Sequence, residues 1–236
     1  MRWTLFMACL LVLAACDTVR PHSDIEFFGT PVPLNATQFP ATIEFSNPLF
    51  PLIPGTVKRF ESDTVDGQVL MVVEVTDDKR AISGINATIV REQEWLNGER
   101  FEESEILYAQ DVDGNVWYLG EVEWAIENGV IVAKEESWQT GQDGASAGII
   151  MWAKPKLGSI YYQEYLPGIA EDVGEVLSLN EIVDVQYAVF QNCIMTREFS
   201  AIEPEEMEYK FFCPGIGHVL TTDGDTRLEL TEVSTH

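Results

Sequence analysis

Residues 113–129 read DGNVWYLGEVEWAIENG: two turn dipeptides, Asp113-Gly114 and Asn128-Gly129, enclose one alternating run. Val116, Tyr118, Gly120, Val122, Trp124 and Ile126 fall on one face of an extended chain, and Asn115, Glu121 and Glu123 on the other. Apolarity of period two with one wet face marks an antiparallel strand. Asp-Gly and Asn-Gly supply the positive φ angles that a tight hairpin requires. Trp117 falls on the polar register, which points to a second packed surface there.

The same punctuation recurs along the chain at Asp66-Gly67, Asn97-Gly98, Asp143-Gly144 and Asp223-Gly224. From Asn97 to Asp143 the steps between turns are 16, 15 and 15 residues. A strand of about ten residues plus a turn fits each step. Val69, Met71, Val73 and Val75 form another alternating row. The expected fold class is therefore all-β: an antiparallel meander of about nine or ten strands, curled into a barrel or strongly bent sheet that protects its edges. Residues 168–180 are the one candidate for a short helix, and Gly174 weakens it.

The last hairpin predicts a disulfide. Strands over 186–199 and 206–213 meet at Glu203-Pro204-Glu205, and residues paired across a hairpin keep a constant index sum. Cys193 and Cys213 centre on Glu203, inside that turn. They should lie nearly opposite, on one side, within reach of a bond.

At the other end, Met1-Arg2, an apolar run from Leu5 to Leu13 and Leu13-Ala14-Ala15-Cys16 have the form of a lipoprotein export signal. The run is too short to span a bilayer, which takes about 20 residues. Cleavage is expected before Cys16, which would carry the lipid and hold the protein to the exported side of a bacterial membrane. Asp17 resembles the signal for inner-membrane retention in enteric-type bacteria. Residues 16–54 follow as a tether with seven of the eleven prolines. Phe27, Phe28, Phe45 and Phe50 suggest that its later part packs on the domain. Residues 55–236 form a single β domain.

The chain carries 39 acidic and 14 basic residues, a formal charge of −25. Such a surface excludes nucleic acid and anionic headgroups as partners. Glu92, Glu94, Glu99, Glu102, Glu103 and Glu105 read most simply as a solvated hairpin.

Two stretches carry a resemblance. Asn47-Pro-Leu-Phe-Pro-Leu-Ile-Pro-Gly-Thr56 and Tyr108-Ala-Gln-Asp-Val-Asp-Gly-Asn-Val-Trp-Tyr-Leu-Gly-Glu121 resemble the opening segment and central hairpin of an uncharacterised family of bacterial secreted proteins and lipoproteins. The likeness covers residues 47–233. It implies an all-β exported domain and no particular activity.

Three patterns bear on chemistry. Asp111, Asp113 and Asn115 alternate oxygen side chains, as calcium sites do. The spacing departs from an EF-hand loop: glycine is at the fourth position, and Val122 stands where the bidentate glutamate belongs. A plain Asp-Gly hairpin explains the same residues. Gly144-Ala-Ser146-Ala-Gly148 satisfies the nucleophile-elbow pattern, but Ile149-Ile150-Met151-Trp152 after it reads as strand, not helix. Of three histidines, His22 lies in the tether, His236 is the last residue and His218 sits among glycines. The third pattern is aromatic: Trp95, Trp117, Trp124, Trp138, Trp152, Tyr161, Tyr162 and Tyr165 either line a ligand pocket or fill the core. The expectation is a membrane-anchored, non-enzymatic binding or envelope-associated module, holding an apolar ligand and using no cofactor. The alternatives are a calcium-stabilised structural lipoprotein and a serine hydrolase using Ser146.

Overall fold

The computed structural model describes residues 29–235 apart from 43–44, 128, 134–136, 201, 203–206 and 225. Cys16, Asp17, Phe27, Phe28, His22, His236 and the turn at 203–205 lie outside the described residues.

The described residues form one antiparallel sheet. Its strands are β1 (Thr56–Thr64), β2 (Gly67–Ile82), β3 (Ile85–Leu96), β4 (Glu99–Gln110), β5 (Val116–Glu127), β6 (Val130–Ala133), β7 (Trp138–Gln139), β8 (Ser146–Met151), β9 (Ile160–Tyr162), β10 (Glu164–Tyr165), β11 (Asp172–Asp184), β12 (Val189–Ser200), β13 (Met207–Cys213), β14 (Gly217–Asp223) and β15 (Thr226–Thr235). Fifteen exceeds the expected number because several pieces are only two to four residues long. The described residues of the turn dipeptides lie at junctions of consecutive strands, with Gly67 opening β2 and Asp223 closing β14. Ser83-Gly84, both at positive φ, makes a seventh such turn between β2 and β3. The candidate helix at 168–180 is instead mostly β11. Its pairing along both β9 and β12 overrides the local preference.

The sheet is two meanders joined twice. β1 to β5 follow one another, β11 to β15 do the same, and β1 pairs with β15. At the far side, β9 pairs with β11 and β10 pairs with β8. Only Gln163 separates β9 from β10, so the segment 160–165 bonds to both remaining edges and nearly closes the sheet into a barrel. Gly148 permits this: a Cβ there would stand 2.3 Å from the Gln163 carbonyl oxygen and 2.5 Å from that of Tyr162.

From Val32 onward, the described proline-rich residues pack on the barrel. Val32, Leu34 and Phe39 cover an outer cluster containing Leu107, Trp117, Leu119, Ile149 and Tyr161. Phe39 meets Trp117 edge-on at 5.9 Å, which is the second packed surface that its register implied. Phe45 and Phe50 pack against a separate inner cluster with Val90, Ile106, Tyr108 and Phe212.

Cys193 and Cys213 are bonded, with Cα atoms 4.1 Å apart and neither residue exposed. Ile194 pairs with Phe212 in the adjacent register, so the index sum places the bond correctly.

Gly148→Ala should push the 160–165 segment off β8. The expected loss is about 1–3 kcal/mol, the usual range for forcing atoms into a filled space, read from urea unfolding. An unchanged midpoint would show that closure does not depend on this approach.

Candidate functional site

The interior of the barrel is not wholly apolar. Tyr108 pairs with Tyr118, yet Leu107 pairs with Gly120, so Leu119 is an extra residue in β5. Such a bulge exchanges the faces of a strand. Beyond it Glu121 and Glu123 lie opposite Ile106 and Ser104, on the inner face. Val122, Trp124 and Ile126 consequently turn outward, which corrects the single apolar face expected for this run. Gly120 is needed where β7 approaches, since a Cβ there would lie 2.8 Å from the Trp138 carbonyl oxygen.

Two members of the acidic run, Glu92 and Glu94, also depart from the solvated hairpin expected for it. Val90, Glu92 and Glu94 share one face of β3, and all three line an internal cavity. Lys58 pairs with Val73, Val73 with Glu92, and Glu92 with Ser104, so these residues form one row across four strands. The cavity has a volume of about 450 Å³ and lies between β1–β4 and β13–β15. Phe50 and Leu52 lie at its side. Its walls include Phe60, Met71, Val75, Val90, Ile106 and Phe212, and its polar groups include Lys58, Glu92, Glu94, Tyr108, Glu208, Lys210 and His218.

Burial dominates the electrostatics here. It raises the Glu92 carboxyl to about 8, with the neighbouring Glu121 charge adding to it. Burial followed by the Glu123 charge lifts Glu121 to about 7, even though Tyr118 donates to it at 2.6 Å. Burial on its own would lower Lys210, but Glu198 at 3.0 Å and Glu208 at 2.7 Å outweigh it and hold the ammonium well above its usual range. Lys58 has no such support, and burial lowers it to about 8. His218 is kept neutral by burial and then by the charges of Lys210 and Lys58. Its ring stacks on Phe60 at 4.9 Å, and Nε2 lies 2.8 Å from Thr221 Oγ1.

An aromatic ladder runs from the cavity into the barrel. Phe50, Tyr108, Tyr118 and Trp138 follow one another with ring centroids 5.2 Å apart at each step. Trp138 Nε1 donates to Glu164 at 2.6 Å. Burial and the nearby Asp172 charge raise Glu164 well above the carboxylate range.

The residues singled out in the sequence lie elsewhere. Asp111, Asp113 and Asn115 do come together at the β4–β5 turn, but as a hydrogen-bonded turn. Asp111 Oδ1 accepts from the backbone N–H groups of Asp113 and Asn115 at 3.0 and 2.9 Å. Its Oδ2 accepts from Asn115 Nδ2 and Trp117 Nε1, both at 2.9 Å. The Asn115 side-chain oxygen accepts from the Ala153 N–H at 3.0 Å. The Asp111 carboxylate and the Asn115 side-chain oxygen are thus engaged by protein donors. Among the described residues no group of three His, Cys, Asp or Glu side chains is arranged to hold a metal. Ser146 opens β8 and pairs with Tyr165, so a strand continues where a nucleophile elbow needs a helix. It lies outside the cavity that His218 lines. None of the eight highlighted Trp and Tyr residues lines the cavity either; its aromatic residues are Phe50, Phe60, Tyr108 and Phe212, beside His218.

No family model matches the chain, and no curated protein matches it. Among solved structures, the chain is similar to the crystal structure of "a putative lipoprotein" from Parabacteroides distasonis, with a TM-score of 0.42 and 13% identity over 79% of this chain and 98% of that one.

Two outcomes are expected. Asp111→Ala should cost about 2–4 kcal/mol, because bonds to a charged acceptor are lost and buried donors are left bare. Its thermal midpoint should fall, while the midpoint of the unaltered protein should be the same in calcium and in chelator; a calcium-dependent rise would favour the metal reading. The second concerns pH. Glu92 goes from 4.5 when unfolded to about 8 when folded. The folded state therefore binds the extra proton, and this contribution to stability is present below pH 4.5 and lost as pH rises through 8. Glu92→Gln should gain stability relative to the unaltered protein between pH 5 and pH 9 in urea unfolding. A constant difference across that range would mean that Glu92 titrates as a solvated carboxyl.

Proposed function

We propose that this protein is an exported lipoprotein, anchored through Cys16 to the exported side of a bacterial membrane, whose β domain is a binding module and not an enzyme. The ligand is one small molecule with a substantial apolar part, held inside the barrel. The observation that carries this reading is the cavity of about 450 Å³ with apolar walls and a few convergent polar groups. Small-molecule sites have that character and span roughly 300–1,000 Å³. A purely structural barrel of this size would be expected to fill the space with side chains. The anchor reading rests on Leu13-Ala14-Ala15-Cys16, and Asp17 favours the inner membrane if enteric-type sorting applies. The proline-rich segment is packed on the barrel at Val32, Leu34 and Phe39.

Native mass spectrometry of the protein extracted from its own envelope tests both halves. The expected spectrum shows acyl groups on Cys16, a two-proton deficit from Cys193–Cys213 and an extra mass that is lost on denaturation. The bare polypeptide under native conditions would remove the ligand reading. An unmodified Cys16 would remove the anchor.

A further inference from the structure

The two lysines that line the cavity differ in their partners. Lys210 is held between Glu198 and Glu208. Lys58, on β1, has no carboxylate within ion-pair distance among the described residues. Its ammonium donates to the backbone carbonyl of Ile216, with that of His218 at 3.4 Å. These carbonyls solvate it only in part, and burial lowers its pKa to about 8. An ammonium enclosed without a counter-charge is costly, and an anion brought to it offsets that cost with charge-assisted hydrogen bonds.

The surroundings favour an anion at this end. The adjacent His218 feels the charges of Lys210 and Lys58. Lys210 is countered by Glu198 and Glu208, so Lys58 is the cavity ammonium left without an ion-pair partner among the described residues. Of the lining carboxylates, Glu208 is engaged by Lys210, and Glu92 stands two strands from Lys58 with Val73 between them. The apolar wall includes Val73, Val75, Val90 and Ile106, together with Leu52 and Phe212.

We infer that Lys58 is the anchor for the carboxylate head of a single-chain amphiphile, a medium-chain carboxylic acid whose tail lies along Val73, Val75, Val90 and Ile106. This deepens the binding reading above and rests on it. A cavity of about 450 Å³ is near the small end of the range for ligand sites, which suits one chain and not a two-chain lipid.

The test is calorimetric titration of the purified protein in lipid nanodiscs, with empty discs as the blank. Three ten-carbon probes share one tail: decanoate, decan-1-ol and decyltrimethylammonium. At pH 7 decanoate is expected to bind about tenfold more tightly than the alcohol, the worth of one charge-assisted pair. Lys58→Met should erase that advantage and keep the alcohol's affinity. In the unaltered protein the advantage should fade as pH rises above 8, while alcohol binding stays level. Glu92 ionises over the same range, so the series is repeated in Glu92→Gln. A fade that persists there assigns it to Lys58 and decides the matter even if Lys58→Met fails to fold, and a fade that vanishes overturns the role of Lys58. Equal binding of acid and alcohol, or preference for the ammonium probe, would overturn the role of Lys58 and leave the cavity as a ligand site. No binding of any probe would overturn both readings.

Discussion

Closure of the sheet depends on one short stretch of backbone. Residues 160–165 bond to β11 on one side and to β8 on the other, with Gln163 as the crossing point. Sheet edges left unpaired are templates for association, and here two meanders that would each end in such an edge are tied together. Glycine makes the crossing possible twice. Gly148 admits the Gln163 carbonyl, and Gly174 lies where a Cβ would meet the Gln163 side chain at 3.1 Å. With β1 already paired to β15, this crossing separates an interior from solvent. The second glycine of the Gly-x-Ser-x-Gly pattern, Gly148, serves this close strand packing.

Once an interior exists, its contents must be accounted for. The sheet places carboxylates inside, where ionised groups are costly unless paired or protonated. Both remedies are in use. Lys210 joins Glu198 and Glu208 in a compact charged group. Burial raises the Glu92 carboxyl to about 8 and pushes that of Glu164 well above the usual range, which favours the protonated form. Glu164 also accepts from the buried Trp138 indole. A barrel under selection for stability alone would be served as well by leucines. Departures of this kind from a uniform core are where function is to be sought, and the cavity lies among them.

Much of the architecture was legible in the sequence because hairpins are local. Asp-Gly and Asn-Gly mark where strands end, and the symmetry of pairing about a turn placed Cys193 opposite Cys213 without any tertiary information. Trp117 on the polar register announced the outer cluster under Phe39. The site was harder to read. A bulge leaves no turn residue to reveal it, so alternation carried through Leu119 assigned Val122, Trp124 and Ile126 to the wrong face. The acidic run looked solvated because both faces of β3 are polar beyond Val90. Yet Glu92 and Glu94 share the parity of Val90, and that row was the available clue. The crossing at Gln163 could not be foreseen, since strands of two and three residues have no periodicity to detect.

The formal charge of −25 therefore overstates the charge the protein carries at neutral pH. Glu92, with its carboxyl near 8, is mostly uncharged at pH 7, and Glu164 is displaced in the same direction. The exterior remains strongly acidic, with arginines such as Arg91 set among Glu74, Glu103 and Glu105 on the outer face of β2–β4. Inside, the Glu92 carboxyl and the Lys58 ammonium stand two strands apart with Val73 between them. An acidic shell slows the approach of anions from solution, because interactions between exposed charges reach about 8 Å at physiological salt. Within the barrel that shell is distant, and the nearest charge decides. Net composition thus speaks to the partners of the surface, and the ligand of the interior has to be argued from the few side chains that face it.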